Sequence, residues 1–517
     1  AETNLKCCFE LQVDKRKKLI LKAKSRDEKQ LWLTAIAEWI VGGGKIKSTS
    51  KYQKRNQNFG ELKEAVTTTR NNDQKYASLK QMPVSKKKTL LEIEDFVLSE
   101  AQDKKTKYGL KQEIKYCSNC LMSNQRPNMC AEHYHTADKQ KDFIKFEDDI
   151  CDACKLVKKK NQDIDWKERE FELINLLDKY RSRNGSYDVL VPGSGGKDSF
   201  YVAHILKYKY KMNPMTCTFA PNKYTDWGRD NFYSWLDTGF SNYLFTTNPM
   251  VHSFITRLAL ENLLHPFQPW ILGQKNFPTK FATKVKIPLI FYGENPAEYG
   301  NPNSNYYDDM LMEWHACENA EDIFVSGFHI KDLIKKFKLN NSELEPYVPL
   351  TYDNFKDNNL KCVAWSYFEN WHPQRNYYYT VENSNFKPSP ERTLGTYSKY
   401  SSIDDKIDDL HYYTSKIKFG IGRTHYDVAQ EIRSGDITKE EGISLIKKFD
   451  GEYPSRFLNE ILDYLSMKNE KNRFASFFEQ PIIDKSYFDD LCDSFRSPNI
   501  WKKTNDGWSL RKSVDYI

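Results

Sequence analysis

The stretch that decides the fold is DVLVPGSGGKDSFYV, Asp188–Val202. It begins with a short apolar run of the kind that forms a buried strand, and it ends in a helical pattern. Between the two lies a loop with three glycines, a lysine, an aspartate and two serines. Glycines let backbone amides approach an anion, and the free amides at a helix N-terminus carry positive potential. The stretch therefore predicts a strand, a phosphate-binding loop and a helix.

Two familiar phosphate loops do not fit this stretch. A Walker A loop requires G-x-x-x-x-G-K-[ST], but Lys197 is followed by Asp198, and Val191 stands where the first glycine belongs. The dinucleotide-binding pattern G-x-G-x-x-G does not fit either, because Asp198 occupies the position of its third glycine. The remaining pattern, SGGKDS at 194–199, closely resembles the loop of the PP-loop ATP pyrophosphatases.

Each residue type in this loop suits a polyphosphate. A lysine adds a point charge, and an aspartate suits magnesium, which prefers carboxylate oxygen. The predicted ATP-binding residues are Ser194, Gly195, Gly196, Lys197, Asp198 and Ser199. The alternative is an ordinary strand-to-helix turn with a capping serine or aspartate.

Further apolar runs follow the loop and alternate with helical patterns. They are MTCTFAP, NYLFTT, IPLIFYGEN and VAWSYF, the last near 363–368. This alternation predicts an α/β fold with a parallel sheet and helices on both faces. Ligands of such sheets bind beyond the carboxyl ends of the strands, which makes 220–222 and 293–295 further site candidates. From about 381 the pattern is helical, and KFGIGR at 418–423 is either a helix-breaking turn or a phosphate or substrate contact.

Eleven cysteines include two C-x-x-C pairs, and without an export signal they indicate a metal site rather than disulfides. The expected zinc ligands are Cys117, Cys120, Cys151 and Cys154. A thiol redox pair is the alternative. Between the two pairs lie three residues that could compete as ligands, namely Cys130, His133 and His135.

The N-terminal region differs from the rest in charge and pattern. Two alternating segments, CCFELQV and KKLILKAK, predict strands, and a capping box opens an amphipathic helix after them. Residues 1–41 resemble the last strands and closing helix of a pleckstrin homology domain, and Trp32 matches the tryptophan of that helix. The alternative is a small appended strand–helix unit. Residues 42–110 are polar and lysine-rich, and we expect a basic linker.

Composition excludes several classes of protein. The 517-residue chain has a net charge of +7, but residues 1–115 hold 26 Lys and Arg against 15 Asp and Glu, so the remainder is mildly acidic. No nucleic-acid surface is expected there. No apolar run approaches a membrane span, and the start shows no signal-peptide segment, so we expect a cytoplasmic protein. Peripheral membrane contact through the basic residues 1–110 is left open.

Motifs in order from about 115 to 517 resemble one family, the N-acetyl sugar amidotransferases of bacterial surface-glycan synthesis. The matching stretches include YCSNCLMSNQRP, CDAC, the phosphate loop, PFQPWILGQKNFP, IPLIFYGENPAEYG, GTYSKYSSIDDKIDDLHYYTSKIKFGIGR and FRSPNIWKKTNDGWSLRKSV. The resemblance implies a four-cysteine zinc module at 111–160, a PP-loop ATP-binding α/β domain at 161–380 and a helical C-terminal region at 381–517. Gly193 departs from the family pattern, where valine is expected, and the segment between the C-x-x-C pairs is longer than usual.

The resemblance also implies a chemistry. The acetamido oxygen of an N-acetyl sugar attacks the α-phosphate of ATP, pyrophosphate leaves, and ammonia then displaces AMP to give an acetamidino group. The implied cofactors are ATP, Mg²⁺ and Zn²⁺. The implied catalytic residues are Lys197, Asp198 and Glu294. The implied substrate contacts are Gln274, Lys275 and Asn295.

The chain shows no glutaminase constellation, so the resemblance implies a separate glutaminase similar to that of histidine biosynthesis, often with a cyclase-like companion. The substrates of the family are nucleotide-linked or nonulosonic N-acetyl sugars. Two other functions remain as alternatives. A tRNA-thiolating PP-loop enzyme would need a catalytic cysteine, for which Cys217 is a candidate, and a membrane-recruited nucleotide-binding protein would use the N-terminal region.

Overall fold

The computed structural model describes most of the chain after residue 104 and little before it. The described residues are 8–14 and 17–22 (backbone), 96, 105–127, 132–136, 143–293, 295–300, 316–468 and 472–514. The chain divides into two compact units, 1–80 and 81–517. The helix predicted to follow the N-terminal strands, with Trp32, and most of the 42–110 segment lie outside the described residues.

The strands and helices of the described residues are numbered in chain order. The strands are β1 (Cys8–Asp14), β2 (Lys17–Lys22), β3 (Phe146–Glu147), β4 (Ile150–Cys151), β5 (Val189–Pro192), β6 (Pro214–Phe219), β7 (Asn242–Phe245), β8 (Leu289–Tyr292), β9 (Phe324–Val325), β10 (Phe328–His329), β11 (Lys361–Ala364), β12 (Trp501–Thr504) and β13 (Gly507–Leu510). The helices are α1 (Asp152–Gln162), α2 (Trp166–Tyr180), α3 (Lys197–Tyr208), α4 (Asp226–Asp237), α5 (Pro249–Leu263), α6 (Gln268–Val285), α7 (Ile330–Phe337), α8 (Asn341–Leu344), α9 (Tyr352–Asp357), α10 (Pro373–Asn383), α11 (Asp408–Phe419), α12 (Arg423–Ser434), α13 (Lys439–Phe449), α14 (Leu458–Leu465) and α15 (Lys485–Ser494).

In the first unit, β1 and β2 pair in antiparallel fashion, as the two alternating segments predict. In the second unit, five parallel strands form the central sheet in the order β11-β8-β5-β6-β7. The chain therefore adds strands on one side of β5 and then returns to add strands on its other side. This is the doubly wound arrangement, and its direction of winding reverses next to β5. The predicted α/β class with a parallel sheet is confirmed.

Both faces of the sheet are covered by helices, as predicted. Val189 and Val191 of β5 pack into a core with α2, α3 and α4. Leu190, between them, points to the opposite face, where it packs with α6 and with β8. Alternate side chains of one strand therefore feed two cores, which is the reason why β5 is a continuous apolar run rather than an alternating one.

The last strand of the sheet is shorter than the sequence predicts. The prediction near 363–368 is wrong at its end, because β11 ends at Ala364 and a 3-10 turn begins at Trp365. Ser366 explains the change of direction. Its amide donates to the carbonyl of Gly293 at 3.0 Å, and its hydroxyl accepts from the amide of Asn295 at 2.9 Å. The chain leaves the sheet here in order to hold the loop that follows β8.

The cysteine module and the C-terminal helices share one core. The buried cysteines of the module pack together with Val428, Ala429, Ile446 and Trp501. An ion pair between Lys160 of α1 and Glu298, at 2.9 Å and almost fully buried, ties the same module to the segment after β8. The module therefore joins the C-terminal region to the edge of the sheet where the strands end.

The end of the predicted 42–110 linker also packs into this region. Phe96 is 2% exposed and its ring lies 5.0 Å from that of Trp508 in an edge-to-face arrangement. Tyr108 stacks on Phe495 with ring centroids 6.1 Å apart, and Leu110 is buried. These contacts agree with a structural unit that begins near residue 81.

Candidate functional site

The phosphate loop connects β5 to α3 at the point where the winding of the sheet reverses. Gly196 caps the N-terminus of α3, so the first amides of that helix point into the loop. Gly195 has φ +92°, and a Cβ at this residue would lie 2.6 Å from the Cα of Phe232. A Cβ on Gly193 would lie 2.3 Å from the Cβ of Ser199. A valine at 193 would have no room in this geometry.

The two charged residues of the loop are held from behind by α10. Lys197 is 8% exposed and pairs with the carboxylate of Asp198. The other oxygen of Asp198 accepts from the side-chain amide of Asn376 at 3.3 Å, and Thr380 donates to the backbone carbonyl of Lys197 at 3.1 Å. The hydroxyl of Ser199 donates to the carbonyl of Gly196 at 3.2 Å. The positions of the charges are therefore set by tertiary contacts.

The loop opens into a cavity of about 590 Å³ at the carboxyl ends of the strands. This is where ligands bind in doubly wound sheets. All six predicted ATP-binding residues line the cavity, and so do Gln274 and Lys275. These two side chains lie one turn from Trp270 and Ile271 on the same face of α6. The structure thus brings the loop and two of the three predicted substrate contacts to one site.

Two C-terminal helices form the opposite wall of the cavity. The residues of α11 that line it are spaced as one helical face, namely Asp408, His411, Tyr412, Ser415, Lys418 and Phe419. The residues of α12 that line the cavity also lie on one helical face, namely Arg423, Tyr426, Asp427, Gln430, Glu431 and Ser434. The KFGIGR turn joins these two helices, so it serves both as a helix break and as a source of cavity residues.

The basic residues at the two ends of KFGIGR differ in their contacts. Arg423 pairs with Asp427 at 2.8 Å and donates to the hydroxyl of Ser402 at 2.8 Å. Lys418 is 1% exposed and donates to the carbonyl of Leu263 at 2.5 Å. Lys418 therefore fixes α11 against the end of α5, whereas Arg423 sits in a network of polar groups on the cavity wall.

Two aspartates on this wall were not singled out by the sequence. Asp404 and Asp408 both line the cavity, and Ser194 of the phosphate loop hydrogen bonds to Asp404. Burial raises the pKa of Asp404, and the hydrogen bond from Ser194 partly opposes this. Burial and the nearby charges of Asp404 and Asp405 raise the pKa of Asp408 well above its ordinary value. With Asp198 they place three carboxylates on one cavity, and these oxygens are of the type that holds Mg²⁺.

A third aspartate of the same segment has a structural task. Asp405 accepts from the backbone amide of Asn222 at 2.5 Å and from its side-chain amide at 2.8 Å. It also accepts from the amides of Lys223 at 3.2 Å and Ile407 at 3.0 Å. Burial raises the pKa of Asp405 to about 7, although these donors oppose the shift. The predicted candidate loop at 220–222 is thereby tied to the C-terminal region.

The loop after β8 contains two further predicted residues. Glu294 lies outside the described residues. Asn295 is 1% exposed, and its side-chain oxygen accepts from the amide of Ala297 at 2.9 Å, which caps the short 3-10 helix that follows. Gly293 approaches the phosphate loop, since a Cβ on it would lie 3.6 Å from the Cβ of Asp198. The structure thus brings this loop to the site, while Asn295 itself does not line the cavity and its role as a substrate contact stays a prediction.

The four predicted metal ligands converge at a second location. Their sulfur atoms lie within 4.8 Å of one another, and all four cysteines are buried. Cys117 and Cys154 have sulfurs 3.7 Å apart, and Cys120 and Cys151 have sulfurs 3.6 Å apart. A tetrahedral zinc with Zn–S bonds of about 2.3 Å requires sulfurs about 3.8 Å apart. The cluster therefore fits a tetrahedral metal ion such as zinc.

Polar groups around the sulfurs favour thiolates over thiols. The side-chain amide of Asn119 donates to Cys154 at 3.2 Å, and the backbone amide of Cys151 donates to Cys117 at 3.4 Å. The guanidinium of Arg433, from α12, donates to Cys120 at 3.4 Å. Donors of this kind orient metal ligands and balance their charge. Because Arg433 belongs to a helix that lines the cavity, the cysteine cluster is linked directly to that wall.

The histidines between the C-x-x-C pairs lie away from the sulfurs. His135 lines the cavity together with Glu132, and the carboxylate oxygen of Glu132 lies 2.9 Å from its Nδ1. His133 is buried, and burial, with the charge of Lys275 nearby, lowers its pKa to about 4. Among the residues that the structure describes, the metal-type cluster consists of the four cysteines alone. Cys130 lies outside the described residues.

Cys217 is the cysteine that a thiolating enzyme would have to use. It lines the cavity, but it is only 1% exposed and lies within β6. Burial raises the pKa of its thiol well above the ordinary value. Reactive cysteines are thiolates in electropositive, partly exposed surroundings. This cysteine has the character of a core residue.

Fold and site together define an α/β protein with a doubly wound sheet, a candidate anion loop beside a cavity and a candidate metal centre. Residues 394–514, which include α11 and α12, match the family model described as LPS biosynthesis protein WbpG-like, C-terminal domain. The match supports the predicted resemblance to a family of surface-glycan biosynthesis.

A second comparison is with an uncharacterized protein, MJ1599, of Methanocaldococcus jannaschii. The two chains are 33% identical over 96 residues, which is 18% of this chain and 33% of the relative. The chain thus matches about a third of the length of that relative. No helix among the described residues is long and apolar enough to cross a membrane.

Proposed function

We propose that this protein is a PP-loop enzyme that uses ATP to convert the acetamido group of an N-acetyl sugar into an acetamidino group for surface-glycan biosynthesis. The observation that carries the proposal is the composition of one cavity. Its first wall is the glycine-rich loop at 194–199, and its opposite wall belongs to the segment that matches the lipopolysaccharide-biosynthesis family model. ATP and the sugar would then bind between two walls that come from different segments of the chain.

The loop residues perform the first half of this reaction. The free amides of the loop and of the N-terminus of α3 hold the β- and γ-phosphates, and Lys197 stabilises the charge that develops on the departing pyrophosphate. The sugar amide oxygen attacks the α-phosphate, and an O-adenylated imidate forms. Asp198, Asp404 and Asp408 are the residues that would hold Mg²⁺, which neutralises phosphate charge when it is bound.

The second half replaces AMP by ammonia. The ammonia comes from a separate glutaminase similar to that of histidine biosynthesis, with its cyclase-like companion. Gln274 and Lys275 contact the nucleotide or the sugar, while Glu294 and Asn295 hold magnesium or the sugar. The substrate is a nucleotide-linked or nonulosonic N-acetyl sugar, and the zinc has a structural role.

The test is a turnover assay with the full chain, MgATP, ammonium chloride and a panel of N-acetyl sugars. We expect AMP and pyrophosphate to form only with the right sugar. The sugar should show the mass change that follows when an oxygen is replaced by an imino group. Release of ADP instead of AMP, or AMP formation that requires tRNA rather than any sugar, would contradict the proposal.

A further inference from the structure

A buried acid–histidine cluster lies on the cavity wall, apart from the phosphate loop. Glu132 is at its centre and is 2% exposed. One oxygen of its carboxylate lies 2.9 Å from Nδ1 of His135 and 3.6 Å from Nε2 of His265. His265 in turn stacks on His411 of α11, with ring centroids 4.9 Å apart. All four side chains line the cavity.

The segment that carries Glu132 is anchored by a buried amide. Gln268, the first residue of α6, is fully buried and donates from its side-chain amide to the backbone carbonyl of Glu132 at 3.2 Å. The oxygen of the same side chain accepts from the amide of Ser326 at 3.0 Å. One glutamine side chain thus clamps a piece of the zinc module to the wall of the cavity.

A carboxylate in such a place requires a compensating interaction. Burial of an ionised carboxylate is costly unless charged or hydrogen-bonding partners surround it. Two imidazoles face the same oxygen of Glu132, and each is able to carry a proton. This pairing of an acid with a histidine that reaches a cavity is the arrangement that fixes an imidazole and favours its protonated form.

The proposed function requires a proton acceptor that the loop does not supply. When ammonia adds to the imidate carbon, a C–N bond forms and the new nitrogen carries a positive charge. Loss of one of its protons prevents this nitrogen from leaving again as ammonia, and its lone pair then drives the C–O bond to AMP to break. The electron pair of the broken C–O bond leaves with AMP, the amidine stays protonated because the sugar nitrogen has kept its own N–H, and the removed proton passes to solvent.

We propose that His265 accepts this proton and that Glu132 is the positioning residue that orients the imidazole and stabilises its charged form. His135 contacts the same carboxylate oxygen, and His411 fixes the plane of the His265 ring by stacking. This inference rests on the proposed function, because it assigns a residue to the ammonia step. It also gives the long segment between the two C-x-x-C pairs a task at the site of reaction.

The experiment separates the two half-reactions in the full-length protein. Sugar-dependent exchange of labelled pyrophosphate into ATP, measured without ammonia, reports adenylation alone. Formation of the acetamidino sugar with ammonium chloride reports both halves. For His265→Gln we expect exchange close to that of the wild type and amidine formation lower by about 10²–10⁴-fold, the usual contribution of general base catalysis. Glu132→Gln should show the same selective loss at a smaller size.

Two controls accompany these variants. His329→Gln changes a histidine that caps α7 and does not line the cavity, so it should leave both half-reactions unchanged. Zinc content should be equal in all variants, since a damaged module would lose metal. Equal losses of exchange and of amidine formation in His265→Gln would assign the residue to binding or folding and overturn the proposal. Unchanged amidine formation would overturn it as well.

The same experiment distinguishes failure of the wider proposal. If the wild type shows no sugar-dependent exchange and no AMP with any N-acetyl sugar, the proposed function falls and the role of His265 falls with it. If the wild type shows both half-reactions and only the His265→Gln result disagrees, the proposed function stands and another group accepts the proton.

Discussion

The two walls of the cavity are built in opposite ways. The phosphate wall is six consecutive residues. Its backbone follows from glycine conformations and from the start of one helix, and α10 holds its two charged residues from outside the loop. The rest of the cavity joins the opposite wall of α11 and α12 to side chains of the cysteine module and of α6, and these segments are up to three hundred residues apart in sequence. A ligand site made of local backbone tolerates changes elsewhere in the chain, whereas a site assembled from distant segments depends on whatever holds those segments together.

The largest effect is expected at the four clustered cysteines, because Arg433 of α12 donates to Cys120 and so links the cluster to the cavity wall. The Cys117→Ser/Cys151→Ser double variant should lose zinc, unfold at a much lower temperature and lose sugar turnover, because structural zinc contributes directly to folding. Metal analysis and thermal unfolding measure this. Cys492→Ala, a buried cysteine outside the cluster, should keep about one zinc per chain. Full zinc in the double variant would point instead to Cys130, His133 and His135.

Substitutions in the phosphate wall should reduce AMP formation without unfolding the protein. Lys197→Ala or Asp198→Ala should lower AMP formation by about 10²–10³-fold, the usual cost of losing one electrostatic contact to a transition state. Thermal unfolding should stay close to that of the wild type, because Lys197, although buried, and Asp198 pack in none of the hydrophobic clusters of the described residues. Lys209→Ala, an exposed lysine just after the same helix, is the matched control. Normal turnover by either loop variant would mean that the loop is a simple turn.

A subtler effect should appear at Asp408 on the opposite wall. Burial and neighbouring aspartates raise its pKa, so the folded protein disfavours the charged form. The ionised carboxylate should therefore lower the free energy of unfolding. This loss begins at about pH 4, where Asp408 ionises in the unfolded chain, and it grows as the pH rises to neutral.

The measurement is thermal unfolding of Asp408→Asn against the wild type in magnesium-free buffer. The variant should unfold at a higher temperature at pH 7.5, and the difference should vanish near pH 4. It should also turn over less ATP, since it lacks a carboxylate at the cavity. Lower stability of the variant at pH 7.5 would show that a cation or donor already compensates the charge. Asn222→Ala is a useful contrast, because it removes a donor to Asp405 and should destabilise the fold instead.

The difference between the walls also explains what could be predicted from sequence. The loop, the sheet class and the four cysteines were recognisable because each depends on short-range spacing. Asp404 and Asp408 lie in SSIDDKIDDL, where the charges suggest a solvated helical face, and only the packing of this segment against α5, α14 and α15 buries them. The four-residue spacing that these two share with Tyr412 was the available signal. Likewise, the local sequence does not reveal that β11 ends at Ala364, because the hydroxyl of Ser366 is held by a hydrogen bond from Asn295, about seventy residues earlier in the chain.

The smallest effect is expected from the N-terminal unit. The described residues that line the cavity lie in the unit from 81 to 517, so deletion of 1–80 should leave ammonia-dependent turnover and unfolding temperature nearly unchanged. Deletion of 1–110 should differ, because it also removes Phe96 and Tyr108, whose rings pack on Trp508 and Phe495. Loss of a buried aromatic side chain costs about 3–5 kcal/mol, so the protein with this longer deletion should unfold at a clearly lower temperature.

Sedimentation with anionic vesicles tests whether the basic segment adds membrane contact, at about 1 kcal/mol per Lys or Arg near the surface. If deletion of 1–80 abolished turnover, the N-terminal unit would have to complete one of the two walls, and the division of the cavity between loop and C-terminal helices would be incomplete.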